Sequence, residues 1–285
     1  MKRLDRRALF ASGAAAALLA ATGASLADQP RRGGTFRLAV PREGDLLASV
    51  ARAAICDQLT EVAPDGLLRG ELATAWHSDD TARIWRFELR PDVPVHGGGV
   101  LSGDDVIASL DAHLSQGRQS LAGVRDLHLS DEGALVIRLE SGNPHLPYRL
   151  ADAGLVIAPM GAVSGDLSSM AGTGLYRVDR AQEGRHFRAL RRDAHFRDGK
   201  AGWFDALDLI VIPDPAVRAE ALRDGYVDAA ALPLAAGLSG RGRFHYHPSE
   251  MDMALAVATH VALPARISAR GPLDDHRIAE RWWML

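Results

Sequence analysis

The chain has 285 residues, with 33 Lys and Arg against 36 Asp and Glu and a formal net charge of −3. The acidic balance argues against a nucleic-acid or anionic-membrane partner, because both require a basic face. An apolar fraction of 47% with 24% charged residues is ordinary for a globular protein. The single cysteine, Cys56, excludes an internal disulfide and is interpreted as a small buried hydrophobe.

The first 27 residues have the layout of a secretory signal. Basic residues precede an apolar stretch over 8–20, and Ser25-Leu26-Ala27 offers small residues at a cleavage site. The stretch is too short to span a membrane. The pair Arg6-Arg7 predicts export by the twin-arginine route, with the general secretory route as the alternative. We therefore expect residues 1–27 to be removed, leaving a soluble periplasmic protein without stable membrane insertion.

The next part of the chain alternates strand and helix patterns. Ser102 and Asp105 predict the N-cap and the N3 position of a helix that buries apolar residues at helical spacing, namely Val106, Ile107, Leu110 and Leu114. Trp85, Phe87 and Leu89 alternate with charged residues, as in a half-exposed strand. The elements predicted in this part are strand 35–40, helix 48–59, a turn over 63–66, strand 85–90 and strand 134–139.

The remaining elements follow the same α/β alternation. The apolar run 155–158 predicts a buried strand. Pro215 suits the first turn of a helix over 216–223. The other predictions are a strand reached through 172–178 that pairs with 186–191, strands over 208–212, 227–230, 244–247 and 254–259, and a loop over 232–243. Together the patterns predict a mixed α/β protein with an accessory lobe over 46–150.

Nine short segments carry a family resemblance by their order and spacing over about 240 residues. The segments are Gly33-Gly34-Thr35-Phe36-Arg37, Pro64-Asp65-Gly66, 71–76, 85–93, His96-Gly97, 101–106, Gly172-Thr173-Gly174-Leu175-Tyr176, 212–215 and 221–228. They resemble segments of the family 5 solute-binding proteins of bacterial ABC importers. The chain departs from the family pattern at Leu175, where Pro is usual, and over 95–99, where the usual acid is missing.

The resemblance implies a periplasmic-binding-protein-like lobe with a mixed sheet, formed by 28–45 and 151–285, around the accessory lobe. Residues 272–277 resemble the start of the family's second large lobe, and we expect that lobe to be missing. The expected ligand is a small solute, which could be a peptide, and the expected partner is an ABC permease. No cofactor and no metal are expected.

Five residues are predicted to line a residual ligand cleft. Thr173 and Tyr176 come from the motif before the strand at 176, and Trp283 would add an aromatic wall. Arg277 is the natural charge for an anionic ligand and Asp45 the natural charge for an amine.

Other patterns allow alternatives. The loop His96-Gly97-Gly98-Gly99 resembles an oxyanion-hole loop, but the chain has no G-x-S-x-G motif and we expect no catalysis there. His245 and His247, with Glu250 and Asp252, could form a metal site, because residues at i and i+2 of a strand share a face. The pair Trp282-Trp283 either packs on the fold or faces a ligand or partner protein.

Three functions remain open from the sequence. The first is a solute-binding protein of an importer. The second is a binding-fold accessory or sensing protein that has lost transport and acts through another periplasmic protein. The third, an enzyme, is not expected, because no catalytic constellation is found.

Overall fold

Three sheets and four helices carry the fold in the residues that the computed structural model describes, which are 32–63, 66–233, 244–248 and 253–258. The helices are α1 Leu46–Ile55, α2 Gly103–Ser115, α3 Leu146–Arg149 and α4 Pro215–Arg223. The strands are β1 Thr35–Val40, β2 Thr60–Val62, β3 Leu68–Gly70, β4 Ala73–Ser78, β5 Ile84–Leu89, β6 Val124–Leu129, β7 Leu135–Leu139, β8 Tyr176–Gln182, β9 His186–Arg191, β10 Ala206–Val211, β11 Ala229–Pro233, β12 Phe244–Pro248 and β13 Met253–Ala258. The predicted mixed α/β class is confirmed.

The larger sheet has seven strands in the order β12-β13-β11-β1-β10-β9-β8. Strand β1 lies between β10 and β11 and is parallel to both, whereas the other neighbours pair antiparallel. Phe36, Leu38 and Val40 occupy alternate positions of β1 and are buried in one cluster with the apolar residues of α1. Burial of this apolar surface holds α1 on the sheet.

The smaller sheet has four antiparallel strands in the order β4-β5-β7-β6. Trp85 and Phe87 of β5 are buried with Leu110 of α2 in a second hydrophobic cluster, as their alternation predicts. Strands β2 and β3 form a separate hairpin. Helix α1 belongs to the first cluster although it lies in 46–150, and the division of the chain into an accessory and a main lobe stays a prediction.

Two of the three helix starts predicted from the sequence are confirmed. Asp105 donates its backbone N–H to the Ser102 side chain, and the Asp105 carboxylate accepts from the Ser102 backbone, so the pair forms a capping box. Asp214 caps α4 by accepting from the N–H groups of Ala216 and Val217, and Pro215 stands in the first turn. Each cap satisfies backbone donors that the helix itself leaves unpaired.

The prediction of a strand over 155–158 was wrong, although all four residues are buried. Ile157 N–H donates to Asp57 O at 2.9 Å, and side chains of α2 supply hydrogen bonds to two carbonyls of this segment. Ser109 Oγ donates to Ala158 O at 2.9 Å, and His113 Nε2 lies 2.9 Å from Val156 O. The short apolar run therefore predicted burial correctly, but it did not predict which groups form hydrogen bonds with the backbone.

The remaining differences concern element bounds. The helix predicted over 48–59 begins at Leu46 and ends at Ile55. Strands β2, β3, β4 and β6 had no sequence prediction. Parts of the predicted turn over 63–66 and of the predicted loop over 232–243 lie outside the described residues, as does the predicted signal. No helix in the described part of the chain is both long and apolar enough to cross a bilayer.

Candidate functional site

A cavity of about 590 Å³ lies where the parallel strands β1 and β10 end. Open α/β sheets bind ligands outside the carboxyl ends of their strands, and known ligand pockets span roughly 300 to 1,000 Å³. The wall comes from the loop after β1, the start of α1, the loop 164–167 and the β8–β9 turn. Its residues are Pro41, Arg42, Gly44, Asp45, Leu47, Ala48, Arg52, Ser164, Gly165, Asp166, Leu167, Ala181, Gln182, Glu183, Gly184, His186 and Val211.

Several charged groups on this wall are engaged with neighbours. Arg52 Nη1 lies 3.5 Å from Asp45 Oδ2. The Asp166 carboxylate accepts from the backbone N–H of Ser168 at 2.9 Å and from its hydroxyl at 2.8 Å. These hydrogen bonds stabilise the ionised form and lower the pKa of Asp166.

His186 is oriented by a chain of charged side chains behind the wall. Its Nε2 lies 3.2 Å from Asp208 Oδ1, and Arg188 Nη1 donates to Asp208 Oδ2 at 2.7 Å. Arg188 Nε also lies 3.3 Å from Asp179 Oδ2. The imidazole is thus held in one orientation at the start of β9, which suits a group that contacts a ligand.

Of the five predicted site residues, the structure places one at the cavity. Asp45 lines it. Thr173 and Tyr176 are fully buried and are not part of the wall. The Tyr176 hydroxyl donates to Phe204 O at 3.0 Å, and burial raises the pKa of Tyr176. Arg277 and Trp283 lie outside the described residues, so the ligand roles of these residues stay predictions.

The sequence did not single out Arg42, Glu183 or His186. Arg42 could have been found from its place directly after a central parallel strand, where ligands bind in such sheets. Glu183 stands in the β8–β9 turn and His186 opens the next strand. Because the β8–β9 turn is far along the chain from the loop after β1, nothing in the local pattern brings these residues together with that loop.

The loop over 95–99 serves as a link to the glycine motif at 172–174. The His96 backbone N–H donates to Gly172 O at 2.8 Å. The Gly172 N–H lies 3.3 Å from His96 Nδ1, which therefore accepts, and Nε2 then donates to Gly174 O at 2.9 Å. Every ring nitrogen of His96 is engaged by backbone, which suits a structural link better than an oxyanion hole.

One half-buried and one buried histidine, His96 and His113, predict a pH-dependent stability. Burial lowers the pKa of His96 and of His113. His113 Nδ1 is buried without a hydrogen-bond partner, so protonation would place an unpaired N–H in the core. A lowered folded pKa gives a contribution that is complete above the unfolded pKa of about 6.5 and is lost as pH falls toward the folded value.

We expect the free energy of unfolding to fall between about pH 7 and pH 5, by up to about 1.4 kcal/mol per pH unit for each histidine. Urea unfolding at fixed ionic strength measures this slope. Replacing both residues, H96Q with H113Q, should flatten it. A double variant that keeps the full slope would contradict the assignment, and an NMR titration of the wild type reads both pKa values directly.

A buried charge cluster lies apart from the cavity. Arg197 Nη1 lies 2.7 Å from Glu61 Oε2 and 2.7 Å from Glu71 Oε1. Burial disfavours the charged guanidinium, but the two carboxylates outweigh it and raise the pKa of Arg197. Beside it, His195 Nε2 lies 3.1 Å from Asp57 Oδ2. The cluster ties β2 and the segment before β4 to the segment after β9.

The alternative metal site cannot be built from the described residues. Glu250 and Asp252 lie outside them, and so does the pair Trp282-Trp283. Elsewhere in the described ranges, no three His, Cys, Asp or Glu side chains are placed to hold one metal ion.

Comparisons with known proteins agree on one family. The family described as bacterial extracellular solute-binding proteins, family 5 Middle, matches residues 68–249, well over half of the chain. Similar solved structures include AgaA from A. tumefaciens R10, in complex with agropinic acid, with 21% identity and a TM-score of 0.62 over 70% of this chain and 44% of that one. No curated protein sequence matches the chain.

Two further structures have the same fold. The ABC transporter-associated periplasmic binding protein DppA from Helicobacter pylori, in complex with the peptide STSA, has 18% identity and a TM-score of 0.65 over 78% of this chain and 52% of its own. NikZ from Campylobacter jejuni, in complex with Ni(L-His), has 21% identity and a TM-score of 0.60 over 75% and 47%. The chain thus spans about half the length of these proteins and has part of their periplasmic-binding-protein-like fold.

Proposed function

Because the chain belongs to the family 5 bacterial extracellular solute-binding proteins, we propose that it binds a small solute in the periplasm and delivers it to an ABC permease. The solute binds in the cavity at the ends of β1 and β10, and it is bound without catalysis. The observation that carries the proposal is the position of this cavity at the carboxyl ends of parallel strands.

The cavity wall supports recognition of a small polar molecule. Leu47, Leu167 and Val211 supply apolar surface, and charged and amide side chains supply hydrogen-bonding groups beside it. Ligand pockets commonly combine apolar walls with a few placed polar groups. The predicted export signal over 1–27 supports a periplasmic location.

The proposal predicts stabilisation by ligand at this cavity. The full chain is expressed, and the exported protein is screened by thermal unfolding against peptides, amino acids, opines, sugars and divalent metal salts. A solute at 100 times its Kd adds about 2.7 kcal/mol to the free energy of unfolding and raises the Tm by several degrees.

Ala48→Trp should abolish the shift, because Ala48 lines the cavity and the indole would fill it. Ala216→Trp is the matched control, since Ala216 is an exposed alanine in the first turn of α4. A folded protein that no solute stabilises would contradict the proposal and favour the accessory-protein function. A shift that survives Ala48→Trp would place the ligand elsewhere.

A further inference from the structure

On the cavity wall, one imidazole has a nitrogen without a hydrogen-bond partner among the described residues. His186 lines the cavity, and 27% of its side chain is exposed. Its Nε2 lies 3.2 Å from Asp208 Oδ1, whereas Nδ1 contacts no polar group in the part of the chain that the structure describes. Nδ1 does not belong to the buried polar atoms that lack a partner, so solvent reaches it. The ring is therefore fixed on one side and open to a ligand on the other.

Asp208 determines which nitrogen of His186 carries a proton. The Asp208 carboxylate accepts from Arg188 Nη1 at 2.7 Å, and an ionised carboxylate has no proton to donate to the imidazole. Nε2 must therefore keep its proton whether the ring is neutral or charged. The neutral ring then has a lone pair at Nδ1, and the charged ring has a second N–H there. Every gain or loss of a proton by His186 thus occurs at the nitrogen that is open to the cavity.

The charges around His186 favour a hydrogen-bond donor as the ligand of Nδ1. Behind the ring, Asp208 of β10 is paired with Arg188 of β9, and Arg188 Nε lies 3.3 Å from Asp179 Oδ2 of β8. Arg185 precedes His186 in the β8–β9 turn. The other ionisable side chains of the wall are Arg42, Asp45, Arg52, Asp166 and Glu183. Three carboxylates thus stand against two guanidiniums, and this excess of negative charge favours a donor over an anion.

We infer that His186 accepts a hydrogen bond at Nδ1 from an N–H or O–H group of the solute, and that acidification releases the solute by placing a proton on this nitrogen. The inference rests on the proposed function and adds a regulation to the same site. A neutral imidazole can accept one hydrogen bond, whereas an imidazolium only donates. Imidazole side chains commonly change charge between about pH 5 and pH 8, so this release would operate near physiological pH.

Nitrogen NMR of the exported full-length protein, with isotopically labelled histidine, tests the protonation pattern. Comparison with the spectrum of H186Q assigns the His186 signals. We expect Nε2 to be protonated throughout the titration and Nδ1 alone to lose its proton as pH rises. A neutral ring that carries its proton on Nδ1 would overturn the inference.

Isothermal titration of the same protein tests the effect on binding. The probes are trialanine and maltotriose, which offer N–H and O–H donors, and sulfate, which offers acceptors only. Circular dichroism at about pH 7 and about pH 5 checks that the protein is folded. We expect the affinity for a donor probe to fall at least about 5-fold from the higher to the lower pH, and by at most about 10-fold per pH unit, because one proton competes with the probe.

Two variants separate His186 from other titrating groups. H186Q should bind the same probe with an affinity that does not change with pH, since an amide does not titrate in this range. His77 is exposed and lies outside the cavity wall, so H77Q is the matched control and should keep the full pH dependence.

The outcomes separate this inference from the proposed function. Equal wild-type affinities at the two pH values, tighter binding at the lower pH, or a pH dependence that persists in H186Q would each overturn the role of His186 and leave a solute-binding protein. Binding of sulfate alone, or of no probe by the folded protein, would overturn the donor group, and the wider thermal screen then decides the proposed function separately.

Discussion

Replacing Arg197 by methionine is expected to lower the free energy of unfolding by about 3 to 5 kcal/mol. The guanidinium contacts Glu61 and Glu71 at 2.7 Å each, and Glu71 is fully buried. Methionine keeps much of the apolar stem but leaves two carboxylates without their cation. Removal of one partner from a buried ion pair is far more harmful than loss of the whole pair, because an uncompensated charge remains in a low dielectric.

Urea unfolding at pH 7 measures this loss as a drop in the midpoint concentration at unchanged slope. The triple variant R197M/E61Q/E71Q should recover part of the stability, since no buried charge is then left alone. R223M is the control, because Arg223 pairs with Glu220 on the exposed surface of α4 at 3.4 Å and should cost under about 1 kcal/mol. A loss in R197M as small as that of the control would refute the argument.

Substituting Gly174 by alanine should destabilise the fold by about 2 to 3 kcal/mol. A Cβ on this glycine would stand 2.6 Å from Ala54 O and 2.6 Å from both C and O of Ile55. Those atoms are backbone at the end of α1, so no rotamer change can relieve the overlap. Gly174 N–H also donates to Ile55 O at 2.7 Å, which fixes the close approach. The end of α1 or the entry to β8 must therefore shift.

The matched substitution is Gly165→Ala, where a Cβ would meet only Ala162 O at 3.8 Å. Chemical denaturation of both variants gives the comparison, and we expect G165A to stay within about 0.5 kcal/mol of the wild type. Equal midpoints for G174A and G165A would mean that a Cβ fits at position 174, contrary to the close backbone contacts described above.

The elements that the sequence predicted best are those whose cause is local. Ser102 and Asp105 are three residues apart and together form the capping box of α2, so the local sequence itself shows why the helix begins there. Trp85 and Phe87 alternate along one strand. In contrast, Ala158 O and Val156 O pair with Ser109 and His113, more than 40 positions earlier, and no local pattern indicates such partners.

The same limit applies to the candidate site. Asp45 was predicted and does line the cavity, which lies beside the loop between β1 and α1. The Arg197 cluster joins residues 126 and 136 positions apart, which periodicity cannot reveal. Tyr176 opens β8 directly after the glycine motif, and its sequence position alone does not say which face of the sheet its ring occupies. The structure shows that this ring lies in the interior.

The position of β1 in the seven-stranded sheet has a consequence for the order of folding. Its partner residues in β10 lie 171 positions further along, from Thr35 with Ala206 to Val40 with Val211. Synthesis proceeds at about 5 to 20 residues per second. The ribosome therefore completes β10 roughly 10 to 30 seconds after β1, and until then β1 and the apolar face of α1 cannot pack in the seven-stranded sheet. The four-stranded sheet, with strands confined to 73–139, has no such delay. We expect it to form first, since local pairings close at lower entropic cost. Until β10 has been synthesised, β1 lacks this strand partner. We therefore expect β1 to be bound during that time by a chaperone that holds unfolded chains.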